Sequence, residues 1–383
     1  MYPLSRCLSF VRRKEENEAG AAKRAASSAA RKKPMPINFD LLKKLCETPG
    51  VSSREDLVRD VVREELTPLT DSIEVDTLGN LIATKKGSGG GPRVMLAAHT
   101  DEIGFLVKYV EDKGFLRLQP VGGWDPRTMV AQRVHVHGFA GQTLLGTLMP
   151  AAKPIHLLTP DELGKPMKIE EFFVDLGLPG DEVKKLVEMG DMVTMARTTE
   201  LVGNNVVSKC LDDRLSVFVM IEALRAVGPH TADIIAVATT QEEVGLRGAT
   251  TAAYALEPQI GIALDVTLAN DFPGTADSDQ ITRLGEGAAL KIMDGSTLSN
   301  PKLLRHFRDL AEKHGIKHQL EILSRGGTDA GAIQRSRAGV PTFTLSLPTR
   351  YIHTVNEMAS VADIEATTAL LARYLEDAHN GQY

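Results

Sequence analysis

Short apolar runs of five to seven residues, each leading to a residue able to bind a cation, constrain this chain more than any other feature. Arg93-Val94-Met95-Leu96-Ala97-Ala98 runs into His99, and Asp233-Ile234-Ile235-Ala236-Val237-Ala238 leads toward Glu242 and Glu243. Ile260-Gly261-Ile262-Ala263-Leu264 runs into Asp265, and Pro341-Thr342-Phe343-Thr344-Leu345-Ser346-Leu347 leads toward His353. Such runs, without polar alternation, are the pattern of strands buried on both faces. Helical stretches at 214–227 and 301–314 separate them. Strands alternating with helices predict an α/β fold: a mixed, mostly parallel sheet with helices on both faces.

The texture changes between about 104 and 193. Strand-like segments there alternate with glycines, as in Gly114-Phe115-Leu116-Arg117-Leu118-Gln119 and Gln142-Thr143-Leu144-Leu145-Gly146-Thr147-Leu148. This predicts a β-rich, barrel-like insert at 104–193 within an α/β domain made of 36–103 and 194–383. Before the first strand, 39–46 reads as an amphipathic helix ended by Pro49-Gly50. A second helix runs toward Leu66, with Ser53 expected as its N-cap. No internal repeat is visible.

Residues 1–35 stand apart: nine Lys and Arg, three Glu, much Ala and Ser, and little apolar periodicity. They read as a disordered basic extension. An Arg- and Ser-rich transit peptide to an organelle is the alternative, opposed by Glu15, Glu16 and Glu18, and translation starting at Met35 is another. The extension carries +6, so the remainder carries −12 against −6 for the whole chain. An acidic body gives no basic face for nucleic acid. No apolar run approaches the roughly 18 residues of a membrane span, and Leu8 to Val11 is too short for the apolar core of a signal peptide, so none is expected. Cys7, Cys46 and Cys210 are far apart and form no metal- or disulfide-type pair, which suits reduced thiols in the cytoplasm.

The chemistry clusters at strand ends, where open α/β sheets bind ligands. In Ala98-His99-Thr100-Asp101, His99 and Asp101 lie two apart. In Cys210-Leu211-Asp212-Asp213-Arg214, either Asp212 or Asp213 suits a helix N-terminus, and a carboxylate bridging two cations is the sharper reading. Glu242 and Glu243 are adjacent, so one can ligate a metal while the other stays free as a general base. Asp265 is expected to end its strand, and His353 follows the last one. Each cluster alone has an ordinary structural explanation. Together they supply two histidines, three ligating carboxylates with one shared, a spare glutamate and an orienting aspartate. That set suits two divalent ions such as Zn or Co. His135 and His137 alternate on one strand of the insert and read as surface residues.

These motifs, with Glu47-Thr48-Pro49-Gly50-Val51-Ser52, Gly122-Gly123-Trp124-Asp125-Pro126, Lys153-Pro154-Ile155-His156-Leu157-Leu158-Thr159-Pro160 and Gly326-Gly327-Thr328-Asp329-Ala330, run from about Phe39 to about Leu375. Over that length the chain resembles the M42 family of metallo-aminopeptidases, which includes the tetrahedral and glutamyl aminopeptidases. The resemblance implies that His99 and Asp265 hold one ion, Glu243 and His353 the other, and Asp212 bridges them. It implies Glu242 as general base and Asp101 as the residue orienting His99. It also implies peptide substrates with a free amino terminus, and an insert that builds dimers and then hollow dodecamers. The chain departs from the family after His353, reading Thr354-Val355-Asn356-Glu357 where Ser-Pro-Val-Glu is commoner.

The expected activity is therefore removal of N-terminal residues from peptides by two-ion, glutamate-assisted attack of hydroxide. Two other readings remain open at this point: a related two-metal carboxypeptidase or deacylase, and a non-catalytic assembly protein that keeps the fold. The preferred first residue, the choice between zinc and cobalt, and the oligomer size are not legible.

Overall fold

The protein's structure, a computed structural model, describes residues 37–383 except 152, 154, 158 and 160–165. The basic extension expected at 1–35 lies outside the described residues, as does part of the Lys153 to Pro160 motif. Residues 40–383 form one compact unit.

The strands, in chain order, are β1 (Ser72–Val75), β2 (Leu81–Lys85), β3 (Arg93–His99), β4 (Gly104–Val110), β5 (Leu116–Val121), β6 (Gln132–His137), β7 (Thr143–Pro150), β8 (Phe172–Asp175) and β9 (Met192–Met195). There follow β10 (Glu200–Val202), β11 (Asn205–Ser208), β12 (Asp233–Thr239), β13 (Ile260–Leu268), β14 (Ala288–Met293), β15 (His318–Ile322), β16 (Thr342–Arg350) and β17 (Glu357–Ser360). Eleven of them form one mixed sheet in the order β1-β2-β12-β3-β13-β16-β17-β11-β10, with β14 and β15 added beside β16. Its centre, β12-β3-β13-β16, is all parallel. These are the four apolar runs of the sequence, and parallel pairing puts all their carboxyl ends on one edge. The sheet forks at β16: the first part of its free edge pairs β14 and the last part pairs β17.

Both faces are covered, as the unbroken apolar runs demand. Alternate side chains Ile82, Met95, Ala97, Ile235 and Val237 pack on helices Arg247–Leu256 and Asp329–Gln334 through Ala249, Ala252, Ala253 and Ile333. Helices Leu211–Ala226 and Val361–Asp377 cover the other face. Leu211–Ala226 is buried almost all round, so it is apolar on every side rather than amphipathic.

The remaining six strands close into an antiparallel barrel, β4-β5-β8-β7-β6-β9, spanning Gly104 to Met195. Its interior is filled by Phe105, Val107, Leu116, Val134, Val136, Leu148, Phe172, Val174 and Val193. Closure removes the exposed edges that so short a set of strands would otherwise present.

Three local expectations are corrected. Ser53 is not an N-cap: it has φ +70° in a turn where Arg54 N–H donates to Val51 O, and the helix starts later, at Asp56. Asp265 does not end its strand, because β13 runs on to Leu268 while paired with β16 as far as Thr349. Neither Asp212 nor Asp213 caps the helix Leu211–Ala226, whose N-cap is Cys210 without a side-chain bond.

The turn at 48–51 is wired to the centre by Arg214. Its guanidinium is fully buried and donates to the carbonyls of Thr100 (2.6 Å), Leu45 (2.7 Å), Thr48 (2.9 Å) and Gly50 (3.2 Å). A planar fork of donors is what four carbonyls arriving from different directions require.

Candidate metal centre

His99, Asp212, Glu242, Glu243, Asp265 and His353 converge on one cleft of about 600 Å³ beyond the carboxyl ends of the parallel strands. His99 closes β3, Glu242 and Glu243 follow β12, Asp265 lies in β13, and His353 lies three residues past β16. Asp212 enters from the first turn of the helix Leu211–Ala226, and the peptide bond joining it to Asp213 is cis. The loops that carry these residues hold several non-glycine residues at positive φ: Cys210, Gln241, Leu246, Tyr351 and His353. Such conformations cost on the order of 1–3 kcal/mol each and persist where the surroundings enforce them.

Two triads emerge. Ligand atoms of His99, Asp212 and Asp265 lie within 4.8 Å of one another, and so do those of Asp212, Glu243 and His353. Asp212 belongs to both. Its Oδ1 is 3.0 Å from His99 Nε2 and its Oδ2 is 3.3 Å from His353 Nε2. His353 Nε2 is also 3.4 Å from Glu243 Oε1. Glu242 stands outside both triads, with Oε2 3.9 Å from His99 Nε2.

The electrostatics call for cations. Burial, reinforced by neighbouring carboxylates, pushes Glu242, Asp213 and Asp265 well above the ordinary carboxylate range, and Glu243 upward. Burial alone would raise Asp212 too, but hydrogen bonds to His353 and His99 hold it well below its usual value. Burial opposes charge on the histidines, yet their carboxylate partners outweigh it: His99 lies well above its usual value and His353 is pushed up to about 12. Without ions, imidazolium protons must balance the carboxylates. Glu243 Oε1 is buried without a hydrogen-bond partner among the described residues. A buried carboxylate oxygen without a hydrogen bond, 3.4 Å from His353 Nε2, in mixed N and O triads, fits divalent ions that would replace those protons.

Around the triads, carboxylates hold backbone rather than metal. Asp101 lies 3.4 Å from His99 Nδ1 through Oδ1, while its own carbonyl is 3.0 Å from the same nitrogen. Its carboxylate also accepts Ser52 Oγ–H (2.6 Å), Glu242 N–H (3.0 Å) and Glu243 N–H (3.1 Å). One aspartate therefore fixes both a histidine and the glutamate pair. Glu357, unassigned by sequence reasoning, does the same on the far side, accepting Asp212 N–H (3.0 Å) and His353 N–H (2.8 Å). Burial and the Asp212 charge raise its pKa to about 8. The signal in the sequence was its position four residues after His353, where the Ser-Pro-Val-Glu of the resembled family also ends in Glu. We expect Glu357→Ala to weaken metal binding about 10–100-fold by freeing both loops. Titration of the metal-free protein with zinc measures this, and unchanged affinity would deny Glu357 that role.

Gly122 and Gly123 bring the barrel to the site. A Cβ on Gly122 would sit 2.5 Å from Ile103 and 3.1 Å from Glu243 Oε2, and one on Gly123 would sit 3.3 Å from His353 Nδ1. Cys210 is a buried free thiol beside Asp212 and His353, a packing residue. His135 and His137 are half-buried on β6, line a separate groove, and take no part in the triads.

Comparison with known proteins finds similar chains over most of this length. The model of the M42 glutamyl aminopeptidase family matches residues 79–370. The lysyl aminopeptidase of Pyrococcus furiosus is 38% identical over 353 residues, covering 89% of this chain and 97% of that one. The structure of an aminopeptidase from the archaeon Desulfurococcus kamchatkensis superposes with a TM-score of 0.85 at 39% identity, covering 89% and 94% of the two chains. The TET1 peptidase of Pyrococcus horikoshii, which can assemble into a tetrahedron or a large octahedral shell, superposes with a TM-score of 0.78 at 32% identity, covering 88% and 98%.

Proposed function

The chain belongs to the M42 family of aminopeptidases, and from that premise we propose that it removes N-terminal residues from peptides with two divalent ions, zinc or cobalt, at the paired triads. His99 and Asp265 would hold one ion, Glu243 and His353 the other, with Asp212 shared. The observation that carries this reading is the shared Asp212 with Glu242 left outside both triads.

When bound, the ions would polarise the scissile carbonyl and make water acidic enough to lose a proton near neutral pH. Glu242 supplies the proton transfer. Its side chain is only 12% exposed and lines the cleft. Its carboxylate takes a proton from the attacking water, holds it, and delivers it to the leaving nitrogen. Asp101 keeps Glu242 in place through the backbone N–H and limits the imidazole of His99 to one orientation.

Hydrolysis of aminoacyl p-nitroanilides, with and without chelator, tests the reading. Acetylating the amine should abolish turnover. Turnover of blocked peptides from the carboxyl end would favour the carboxypeptidase or deacylase alternative instead. No helix among the described residues is long and apolar enough to cross a membrane. We also propose that the barrel is where copies associate, toward a dodecamer. Sedimentation at the 41.5 kDa mass of one chain would remove that proposal.

A further inference from the structure

One edge of β13 loses its partner beside the triads. Gly261 N–H donates to Pro341 O (3.0 Å) and Ala269 N–H to Thr349 O (3.0 Å), at the two ends of an unbroken parallel register with β16. Odd-numbered residues of β13 therefore turn their backbone groups toward β16, and Leu264, Val266 and Leu268 turn theirs toward the opposite edge. β3 pairs that edge only from Ile260 to Ala263. His99 N–H, next in line on β3, donates instead to Asp213 Oδ2 (3.3 Å), and the two strands part. The edge is met again at Ala269, which bridges to Thr282, and the Thr282 hydroxyl donates to Leu268 O (2.9 Å). In between, no strand among the described residues pairs it.

The open stretch lies in the cleft, lined by Asp265, Val266, Thr267 and Leu268. Val266 is 6% exposed, a position where unpaired backbone groups are costly. Thr267 is buried as well, and its hydroxyl has no hydrogen-bond partner among the described residues. Three residues of strand rise about 10 Å, so the gap has room for a short extended segment and not for a long strand. Its inner end is Asp265, a member of the first triad, and its outer end is Leu268, 40% exposed.

Resting on the aminopeptidase reading above, we propose that this edge of β13 binds the backbone of the substrate, whose first residues lie along it as a short added strand. The amino end sits at the triads and the tail leaves toward solvent, so the peptide runs parallel to β13 in the line that β3 vacates. Val266 N–H donates to one peptide carbonyl, and Val266 C=O accepts the N–H two residues further on. The Thr267 hydroxyl finds its missing partner on the same peptide. Recognition through backbone is indifferent to side chains and takes extended, unfolded chain ends over helical ones. It also requires length, because a dipeptide ends before the second bond forms.

Peptide amides of one leucine followed by alanines test this through the initial release of leucine. From the dipeptide to the tetrapeptide, kcat/KM should rise about 3–10-fold, the net worth of one backbone hydrogen bond, and then level off. In the pentapeptide, methylating the backbone nitrogen of residue 3 or of residue 4 should give opposite results. One loses about 10-fold and the other keeps the parent rate, because alternate N–H groups of a strand face the same neighbour. Leucine p-nitroanilide, which lacks those residues, is the reference. Rates independent of length, or methylation that lowers both peptides or neither, overturns the proposal, while turnover of the anilide leaves the aminopeptidase reading standing. If neither the anilide nor any peptide is hydrolysed, that reading fails, and calorimetry with the same pentapeptides judges the edge by itself: alternating affinities uphold it and equal affinities reject it.

Discussion

Glu242→Gln is expected to keep both proposed ions and to lose about 10²–10⁴ in kcat, the usual contribution of a general base. The two halves of that expectation come from one geometry. Glu242 lies outside both triads, so an amide there removes no ligand. The backbone N–H that anchors it to Asp101 is unchanged by the substitution, and the amide has the same shape. What disappears is the ability to accept and return a proton. Burial and the charges of Asp265 and Asp329 raise the affinity of Glu242 for a proton well above that of a free carboxylate, which suits a group that must hold one during the reaction. Metal analysis of the purified variant beside anilide turnover checks both halves. Full activity would take Glu242 out of the mechanism, whereas lost metal would recast it as a ligand.

Removal of the two proposed ions is expected to have the second large effect: complete loss of activity and a fall in melting temperature on the order of 10 °C. Ligands that bind only the folded state stabilise it by roughly 4 kcal/mol each when present at 1,000 times Kd. For a chain of this length, two such ions translate into about that shift. The structural cause is the set of buried carboxylates, with Asp212 9% exposed, Asp265 7% and Asp213 fully buried. Without ions they repel one another, and imidazolium groups compensate only in part. The shared triad makes the expectation sharper. Asp212→Asn should deplete both ions, while Asp265→Asn and Glu243→Gln should each deplete mainly one, read as metal per chain by elemental analysis. Equal depletion by all three would contradict a bridging Asp212. A chelated enzyme with unchanged activity and melting temperature would contradict metal dependence.

Much of this was legible along the chain because strand burial is a local property. Apolar runs ending at His99, near Glu243, at Asp265 and near His353 announce a parallel sheet with one chemical edge. Local rules failed where the tertiary fold overrode them. Ser53 has good capping chemistry, yet the turn over Arg214 places it at φ +70° and the helix starts at Asp56. Asp265 looked like a strand end, but pairing with β16 carries the strand three residues further and buries the carboxylate inside the sheet edge.

The sequence by itself determined the α/β class, the separate β-rich insert and the chemical types gathered at the strand ends, since each depends on residues within one short segment. Only the tertiary structure shows Asp212 as a member of both triads, a placement that the residues alone left open and that the resemblance implied. Asp212 and His99 are 113 residues apart and meet through parallel pairing of strands and the packing of the helix Leu211–Ala226. The same holds for Glu357, which reaches back 145 residues to the Asp212 backbone, and for Asp101, which holds the glutamate pair from 141 and 142 residues away. No spacing rule spans such distances, because chain separation is erased once β3, β12, β13 and β16 lie side by side and bring their ends to one edge.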